Sequence, residues 1–221
     1  FATNYRYPHL LGEYVWTGFD YLGEPTPFNS DNTNLLNFRT DPSKRAELEK
    51  QLAELARTQP PSRSSYFGIV DLAGFPKDRY YLYQSHWRPD YPMAHILPHW
   101  NWVGREGQII PVHVYTSGTE AELFVNGKSY GRKAKEEGKD FRLVWDSVVY
   151  QPGTVKVIAY KDGKEWAKDE IQTTGEAQKI QLSVDHASII GSEDELAFVT
   201  ATIVDASGRK VPTACLPLKV E

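Results

Sequence analysis

The spacing of apolar residues changes near Tyr91. Between that residue and about residue 175, short segments alternate apolar and polar positions and are separated by turn-forming residues. A period of two is typical of strands that bury one face. Asn126-Gly127 and Asp162-Gly163 lie between such segments, and these dipeptides favour tight hairpins whose twist matches that of the strands. About seven strands over roughly 80 residues predict an immunoglobulin-like β-sandwich.

Residues 1–90 follow a different pattern. Residues 10–20 (LLGEYVWTGFD) are mostly apolar and β-prone, which predicts a strand buried on both faces, as in parallel sheets. Residues 23–34 (GEPTPFNSDNTN) are rich in Gly, Pro and Asn and predict a loop. This part of the chain is therefore expected to contribute to a parallel sheet, with a loop long enough to carry function.

Two helices are expected in the same region. Asp41-Pro42 is a helix start signal, and it precedes an amphipathic stretch in which three leucines recur at helical spacing: Leu48, Leu52 and Leu55. That leucine face is expected to pack against its own domain. A short apolar run at residues 65–70 (SYFGIV) is followed by a turn at residues 72–74 and by a second predicted helix, from Lys77 to Trp87.

Strand-like alternation begins again after Glu176, in KIQLSVDHASI and ELAFVTATIVDASGRKVP. These residues would supply three or four strands, which predicts the truncated start of a second β-sandwich. The expected organisation therefore has three parts, at residues 1–90, 91–175 and 176–221. The predicted fold class is multidomain, with an α/β part followed by all-β domains.

Composition and charge exclude several classes of protein. The net charge is −4 and Lys and Arg are scattered among acidic residues, so the chain lacks the basic field that binds nucleic acid. No apolar run approaches the ~20 residues that cross a bilayer, which excludes a membrane span. The lone Cys215 excludes an internal disulfide and a cysteine metal cluster. Because the chain begins at Phe1 without a signal-peptide pattern, we expect it to be a piece of a longer protein.

Two motifs carry a resemblance to a known family. Residues 12–27 (GEYVWTGFDYLGEPTP) are followed by residues 66–71 (YFGIVD), which lead into residues 74–78 (GFPKD) and an aromatic helix. In this order they resemble the last barrel strand, the following loop and the barrel closure of family 2 glycoside hydrolases of the β-galactosidase type. The segment ELFVNGKSYG resembles the sandwich that follows the barrel in bacterial members. The resemblance implies that residues 1–90 are the last part of a (β/α)8 TIM barrel, whose active site lies at the C-terminal ends of its strands.

The resemblance also implies a longer parent enzyme that hydrolyses terminal β-D-galactosides with retention, in carbohydrate metabolism. Retaining glycosidases use two carboxyl groups about 5–5.5 Å apart. The family places both on earlier barrel strands, so this chain is expected to lack the catalytic pair and to be inactive alone. Its implied partners are a β-galactoside and the rest of the parent chain, and a homo-oligomer is left open. No cofactor or metal is implied, and the resemblance favours a periplasmic or extracellular location.

Three residues of the first motif and its loop are expected to bind substrate. Trp16 corresponds to a family Trp at the floor of the sugar pocket, where its indole would cover the apolar face of a pyranose. Packing in the core is the alternative. Asp20 matches a family Asp, and its favoured role is to fix the strand-to-loop turn through backbone N–H groups, with direct sugar contact as the alternative. Glu24 lies in the loop, where a hydrogen bond to a sugar hydroxyl competes with a solvated carboxylate.

The residues before Gly68 bear on the choice of sugar. Family β-glucuronidases recognise the substrate carboxylate with an Asn-x-Lys sequence at this point, where this chain has Ser65, Tyr66 and Phe67. Burying a carboxylate without Lys or Arg would cost of the order of several kcal/mol. A neutral galactoside is therefore expected. Phe67 also offers no oxygen ligand for the sodium-linked site of some β-galactosidases.

A binding module is the alternative function. The start of the predicted sandwich carries a cluster of aromatic and polar residues, namely His95, His99, Trp100, Asn101 and Trp102. Packing at a domain interface is one interpretation of this cluster, and a carbohydrate-binding face is the other. Exposed, coplanar Trp side chains would favour a non-catalytic carbohydrate-binding or spacer module.

Overall fold

The computed structural model describes residues 1–23, 50, 64–191, 194–217 and 219. Contacts divide the chain into two compact units. Unit 1 comprises Phe1–Tyr91 and Glu136–Phe141, and unit 2 comprises Pro92–Lys135 and Arg142–Glu221. No helix in the described part of the chain has the length and apolarity needed to cross a membrane.

Unit 2 begins with seven strands in two antiparallel sheets. One sheet has the order β1-β2-β5 and the other the order β4-β3-β6-β7. The strands are β1 (Ala94–Leu97), β2 (Val112–Thr116), β3 (Glu120–Val125), β4 (Lys128–Ala134), β5 (Leu143–Trp145), β6 (Thr154–Lys161) and β7 (Lys164–Gln172). The prediction of about seven strands in this region is confirmed, and the arrangement is that of a sandwich.

The alternation of the sequence produces the core between these sheets. Along β3, Leu123 is fully buried and its neighbours Glu122 and Phe124 point to the other face. Leu123 lies opposite Val157 of β6, which is also fully buried. Removing such a side chain from water contributes about 1.5–3 kcal/mol to the free energy of folding. The buried cluster includes residues from both sheets, so the two sheets are held together by apolar packing.

Two tight hairpin turns connect strands of the larger sheet. Asn126 and Gly127, between β3 and β4, have φ angles of 49° and 79°. Asp162 and Gly163, between β6 and β7, have φ angles of 52° and 73°. Two successive positive φ angles give the turn whose twist matches a hairpin. Both turns predicted from the sequence are confirmed.

The last part of unit 2 is a hairpin of β8 (Lys179–Val184) and β9 (Val199–Val204). The sequence predicts three or four strands here, whereas the described residues form these two and one isolated bridge, Val204–Lys210. Between the two strands, the carboxylate of Asp185 accepts hydrogen bonds from the N–H groups of His186 and Phe198. The segment therefore turns back on itself where a further strand is expected.

Unit 1 contains α1 (Ala2–Arg6) and α2 (Asp78–Trp87). Lys77 precedes α2 as its N-cap residue, so the helix predicted from Lys77 to Trp87 is confirmed. The turn at residues 72–74 is also present, with a hydrogen bond from Gly74 N to Asp71 O of 3.1 Å. The predicted helix that carries Leu48, Leu52 and Leu55 lies outside the described residues, as does most of the loop that begins at Gly23.

The prediction that residues 10–20 form a strand buried on both faces is wrong for the described structure. Leu11, Tyr14 and Trp16 are 104%, 94% and 74% exposed. Regular pairing is limited to an isolated parallel bridge between Phe19 and Val70. The apolar pattern marks side chains suited to burial, but the described residues cover none of these three.

Candidate functional site

The two sequence motifs meet through their backbones. Ile69 N donates to Thr17 O (3.2 Å) and Val70 N donates to Gly18 O (3.0 Å). In the other direction, Asp20 N donates to Val70 O (2.9 Å). These bonds form a short parallel pairing, which fixes residues 17–20 against residues 69–70.

Asp20 joins the motifs a second time through its side chain. Its carboxylate is 5% exposed, and Oδ1 accepts a hydrogen bond from Gly68 N–H at 2.8 Å. Oδ2 lies 2.5 Å from Nζ of Lys77, whose side chain is 29% exposed. Both oxygens therefore have partners, as a buried carboxylate requires. We call Asp20, Gly68 and Lys77 the Asp20 cluster.

The close approach at Gly68 explains why this position has no side chain. A Cβ atom there would lie 2.6 Å from Val70 O, and closer still to Asp20 N and Phe19 C. Ordinary contacts of a Cβ atom begin at about 3.4 Å. Glycine is therefore required by space, because the two backbones touch where the Asp20 carboxylate receives the Gly68 N–H.

A tight turn brings Lys77 to the cluster. Oδ1 of Asp71 accepts hydrogen bonds from Ala73 N (2.8 Å) and Phe75 N (2.9 Å), as an Asp side chain does in such turns. Asp71 N also donates to Phe75 O (2.9 Å). The chain then returns alongside itself, and Lys77 N donates to Ile69 O (2.9 Å). Lys77 belongs to the GFPKD motif, but it is not among the residues that the sequence predicts to be functional.

Trp16 directly precedes the fixed segment. Its side chain is 74% exposed, and a cis peptide bond joins it to Thr17. The Thr17 hydroxyl donates to Phe19 O, which adds a local contact within the segment. Of the three predicted substrate-binding residues, Asp20 lies in the cluster, Trp16 borders it, and Glu24 lies outside the described residues.

The positions that differ from the glucuronidase pattern lie directly before the second motif and at its first two residues. Ser65 is fully buried; its hydroxyl accepts from Tyr21 N at 3.0 Å, and its own N–H donates to Tyr21 O at 2.8 Å. Tyr66 is 47% exposed, and Nζ of Lys77 lies 5.9 Å from the centroid of its ring. Lys77, the cation that lies beside Tyr66 in the described residues, is thus already paired with Asp20.

The aromatic cluster at the start of the sandwich belongs to the sandwich itself. Trp100 is 1% exposed and packs edge-on against Tyr150 at 5.1 Å. Trp102 stacks on His99 at 4.6 Å, and burial lowers the pKa of that His. Asn101 is 8% exposed and bonds to Thr174 through both its amide nitrogen and its oxygen. Interface packing is therefore the wrong interpretation for Trp100, and no exposed coplanar Trp pair occurs among the described residues of this cluster.

Metal ligands are not grouped in the described residues. No cluster of three or more His, Cys, Asp or Glu side chains suited to a metal ion occurs there. Cys215, the single cysteine, is exposed. The chemistry available at the Asp20 cluster is thus that of one ion pair, backbone N–H groups and a neighbouring indole.

Comparison with known proteins relates the chain to carbohydrate-active enzymes. Residues 107–167 match a family model described as "Domain of unknown function (DUF4982)". Beta-galactosidase BoGH2A of Bacteroides ovatus is 44% identical over 93% of this chain. The structure of a beta-glycosidase from Bacteroides vulgatus is 39% identical over 68% of this chain, with a TM-score of 0.63. That of a glycosyl hydrolase family 2 member from Bacteroides cellulosilyticus is 27% identical over 88%, with a TM-score of 0.68.

The chain belongs to the family 2 glycoside hydrolases. It spans only part of its relatives, covering 20% of the B. ovatus enzyme, 19% of the B. vulgatus chain and 26% of the B. cellulosilyticus chain. A beta-glucuronidase of Formosa agariphila is also related, at 30% identity over 66% of this chain and 15% of its own length. The resemblance found in the two motifs is confirmed at the level of the family.

Proposed function

We propose that this chain is part of a retaining β-galactoside hydrolase and forms one wall of its sugar pocket. The 44% identity to a β-galactosidase over 93% of the chain supports this substrate class. The observation that carries the proposal is the Asp20 cluster, which fixes the backbone that follows Trp16. An indole on a held backbone suits the apolar face of a pyranose.

Residues 1–90 are proposed to be the last part of a (β/α)8 barrel. The parallel direction of the Phe19–Val70 bridge supports this assignment, because neighbouring strands of such a barrel are parallel. Residues 91–175 would then be an immunoglobulin-like sandwich, and residues 176–221 the start of a second one. In the parent enzyme, other barrel strands would cover the exposed side chains of Leu11 and Tyr14.

Trp16 and Asp20 are assigned different roles in this pocket. Trp16 would stack on the sugar ring and keep water away from it. Both oxygens of Asp20 have protein partners and the side chain is 5% exposed, so it would act by holding the residues after Trp16. Glu24, which the sequence assigns to a loop, is proposed to accept a hydrogen bond from a sugar hydroxyl.

A neutral sugar fits the second motif better than a uronic acid. Tyr66 and Phe67 offer no positive charge, and the ammonium group of Lys77 is paired with the Asp20 carboxylate. A substrate carboxylate here would lose its hydration without gaining a cation, which costs several kcal/mol in order of magnitude. Galactosides are therefore proposed over glucuronides.

The pocket wall would contribute to catalysis by orienting the sugar. In a retaining glycosidase, one carboxyl group protonates the leaving oxygen while the other attacks the anomeric carbon. We assign both groups to barrel strands outside this chain. Small errors in the placement of the ring reduce the rate steeply, since a displacement of about 1 Å costs about 100-fold.

The test is Trp16→Ala in the full-length enzyme. Loss of the indole removes apolar contact and admits water beside the reacting ring. We expect transition-state stabilisation to fall by about 2–4 kcal/mol, which lowers kcat/KM for an aryl β-galactoside by about 30- to 1000-fold. The rate is measured per folded active site, and the unfolding midpoint is recorded for the same samples.

Trp87→Ala is the matched control. Trp87 is 55% exposed at the end of α2 and packs on Tyr83, so the same substitution removes an indole that is not part of the Asp20 cluster and does not adjoin it in sequence. Its kcat/KM should stay within about threefold of the parent value. Normal specific activity of Trp16→Ala together with a much lower midpoint would assign Trp16 to the core and refute the pocket wall.

A further inference from the structure

Lys77 lies at the point where the second motif meets the first. We propose that Lys77 is a positioning residue that holds Trp16 in place for catalysis by acting through Asp20. The inference rests on the proposed function of Trp16 and adds a residue that touches neither the sugar nor the catalytic carboxyl groups.

The backbone around Lys77 gives its ammonium group a fixed origin. The Asp71 side chain closes the turn at residues 71–75, and Lys77 N is then bonded to Ile69 O at 2.9 Å. The first turn of α2 follows at once, with Tyr80 N donating to Lys77 O at 2.9 Å. The Cα atom of Lys77 is therefore held on both sides, and its side chain extends from a rigid base.

The ion pair between Lys77 and Asp20 involves a buried carboxylate, so its loss would be costly. Asp20 is 5% exposed, so its carboxylate has little water to replace a missing cation. Removing one partner of a buried pair is far more harmful than removing an exposed one, because the remaining charge is left uncompensated. Without Lys77, Asp20 would have to turn toward solvent, and its hydrogen bond to Gly68 N would break.

Movement of Asp20 would be transmitted to Trp16 along four residues. Residues 17–20 are held by three backbone hydrogen bonds to residues 69–70, and the Asp20 side chain closes the same pairing at one end. If that end opens, the pairing loses its anchor at Asp20, and the two remaining bonds, which hold Thr17 and Gly18 beside Trp16, open more often. The indole would then sample several positions, and the sugar would lose the orientation that the reaction needs.

The experiment is a double-mutant cycle in the full-length enzyme, with Lys77→Met and Trp16→Ala. Met is unbranched like Lys and only one heavy atom shorter, and it removes the charge. Lys77→Met alone should lower kcat/KM for an aryl β-galactoside by about 10- to 100-fold per folded active site. In the Trp16→Ala background, it should lower kcat/KM by less than about twofold, because the effect passes through Trp16. Lys77→Arg, which keeps the charge, should recover most of the activity.

Lys168→Met is the control for removal of a lysine charge. Lys168 pairs with Glu165 at 2.7 Å on the surface, with both side chains about half exposed. Its kcat/KM should not change beyond about twofold. If Lys77→Met fails to fold, Asp20→Asn replaces it in the cycle, since this change removes the charge of the same pair and keeps an acceptor for Gly68 N–H.

The outcomes separate this inference from the function on which it rests. If Trp16→Ala has normal kcat/KM, the proposed pocket is wrong. If Trp16→Ala is impaired and Lys77→Met is as active as the unmodified enzyme, the positioning role alone is refuted. Equal losses from Lys77→Met in both backgrounds would likewise overturn it, because Lys77 would then act independently of Trp16.

Discussion

Replacing Gly68 with Ala is a direct perturbation of the contact between the two motifs. The new Cβ atom would lie 2.6 Å from Val70 O and closer to Asp20 N, whereas ordinary contacts begin at about 3.4 Å. The segments must separate by about 1 Å to admit it. That shift would stretch the bond from Gly68 N to Asp20 Oδ1 and the bond from Asp20 N to Val70 O beyond hydrogen-bonding distance.

The expected cost follows from these two bonds. A hydrogen bond to a charged group contributes about 1.5–3 kcal/mol and a neutral backbone bond about 0.5–1.5 kcal/mol. We therefore expect Gly68→Ala to lower the free energy of local opening by about 2–4 kcal/mol. Because 1.4 kcal/mol corresponds to a factor of ten, the amides of residues 20 and 68, which donate these two bonds, should exchange with solvent about 30- to 1000-fold faster.

Hydrogen–deuterium exchange of the full-length enzyme is the assay, resolved to the peptides that contain residues 17–20 and 68–71. Gly18→Ala is the matched control, because a Cβ atom at Gly18 meets nothing within 4 Å among the described residues and Gly18 does not have the positive φ that disfavours a side chain. Its exchange should stay near that of the unmodified enzyme. Unchanged exchange in Gly68→Ala, or equal acceleration in both variants, would refute the close packing at Gly68.

Two further predictions concern unit 2. Leu123→Ala, at a fully buried position, should destabilise the 221-residue chain by about 2–5 kcal/mol, while Leu182→Ala, at a 65% exposed position, should cost less than about 1 kcal/mol. Urea unfolding measures both free-energy changes, and equal values would contradict the sandwich core. The pKa of Asp205 lies well below its usual 3.8 despite burial, chiefly because the backbone N–H of Arg209 donates to the carboxylate, with further contributions from the N–H of Gly175 and the Arg209 guanidinium. This carboxylate therefore stabilises the fold at neutral pH, and the stabilisation is lost as the pH falls below about 4. Asp205→Asn should therefore lower the thermal midpoint more at pH 7 than at about pH 2, and an equal decrease at both would rule out the titration of this group as the cause.

The sandwich was predictable because its signals are local. Asn126-Gly127 and Asp162-Gly163 specify their turns through two positive φ angles, whatever surrounds them. The alternation along β3 and β6 likewise marks which side chains face inward, since the period of a strand is two. Helix α2 could be placed for the same reason, as the turn and Lys77 precede it directly in the sequence.

The candidate site could be predicted only in part. Each of its two motifs is a continuous stretch of sequence, so the resemblance could point to Trp16 and Asp20. The contacts of Asp20 with Gly68 and Lys77 join residues 48 and 57 positions apart, which no local pattern reveals. The apolar run at residues 10–20 shows the same limit, because its composition indicates burial but does not identify the residues that would pack against it.

The central claim is that the sugar pocket takes a neutral galactoside in preference to a glucuronide. A comparison of these two substrates with the full-length enzyme tests it most directly. Initial rates are measured for matched aryl β-galactoside and aryl β-glucuronide, with the same leaving group and the same enzyme preparation. The proposed neutral pocket wall around Tyr66, with Lys77 paired to Asp20, predicts a kcat/KM at least about 100-fold higher for the galactoside, as expected from a desolvation cost of about 3 kcal/mol for the unpaired carboxylate. A kcat/KM for the glucuronide equal to or above that of the galactoside would contradict the account.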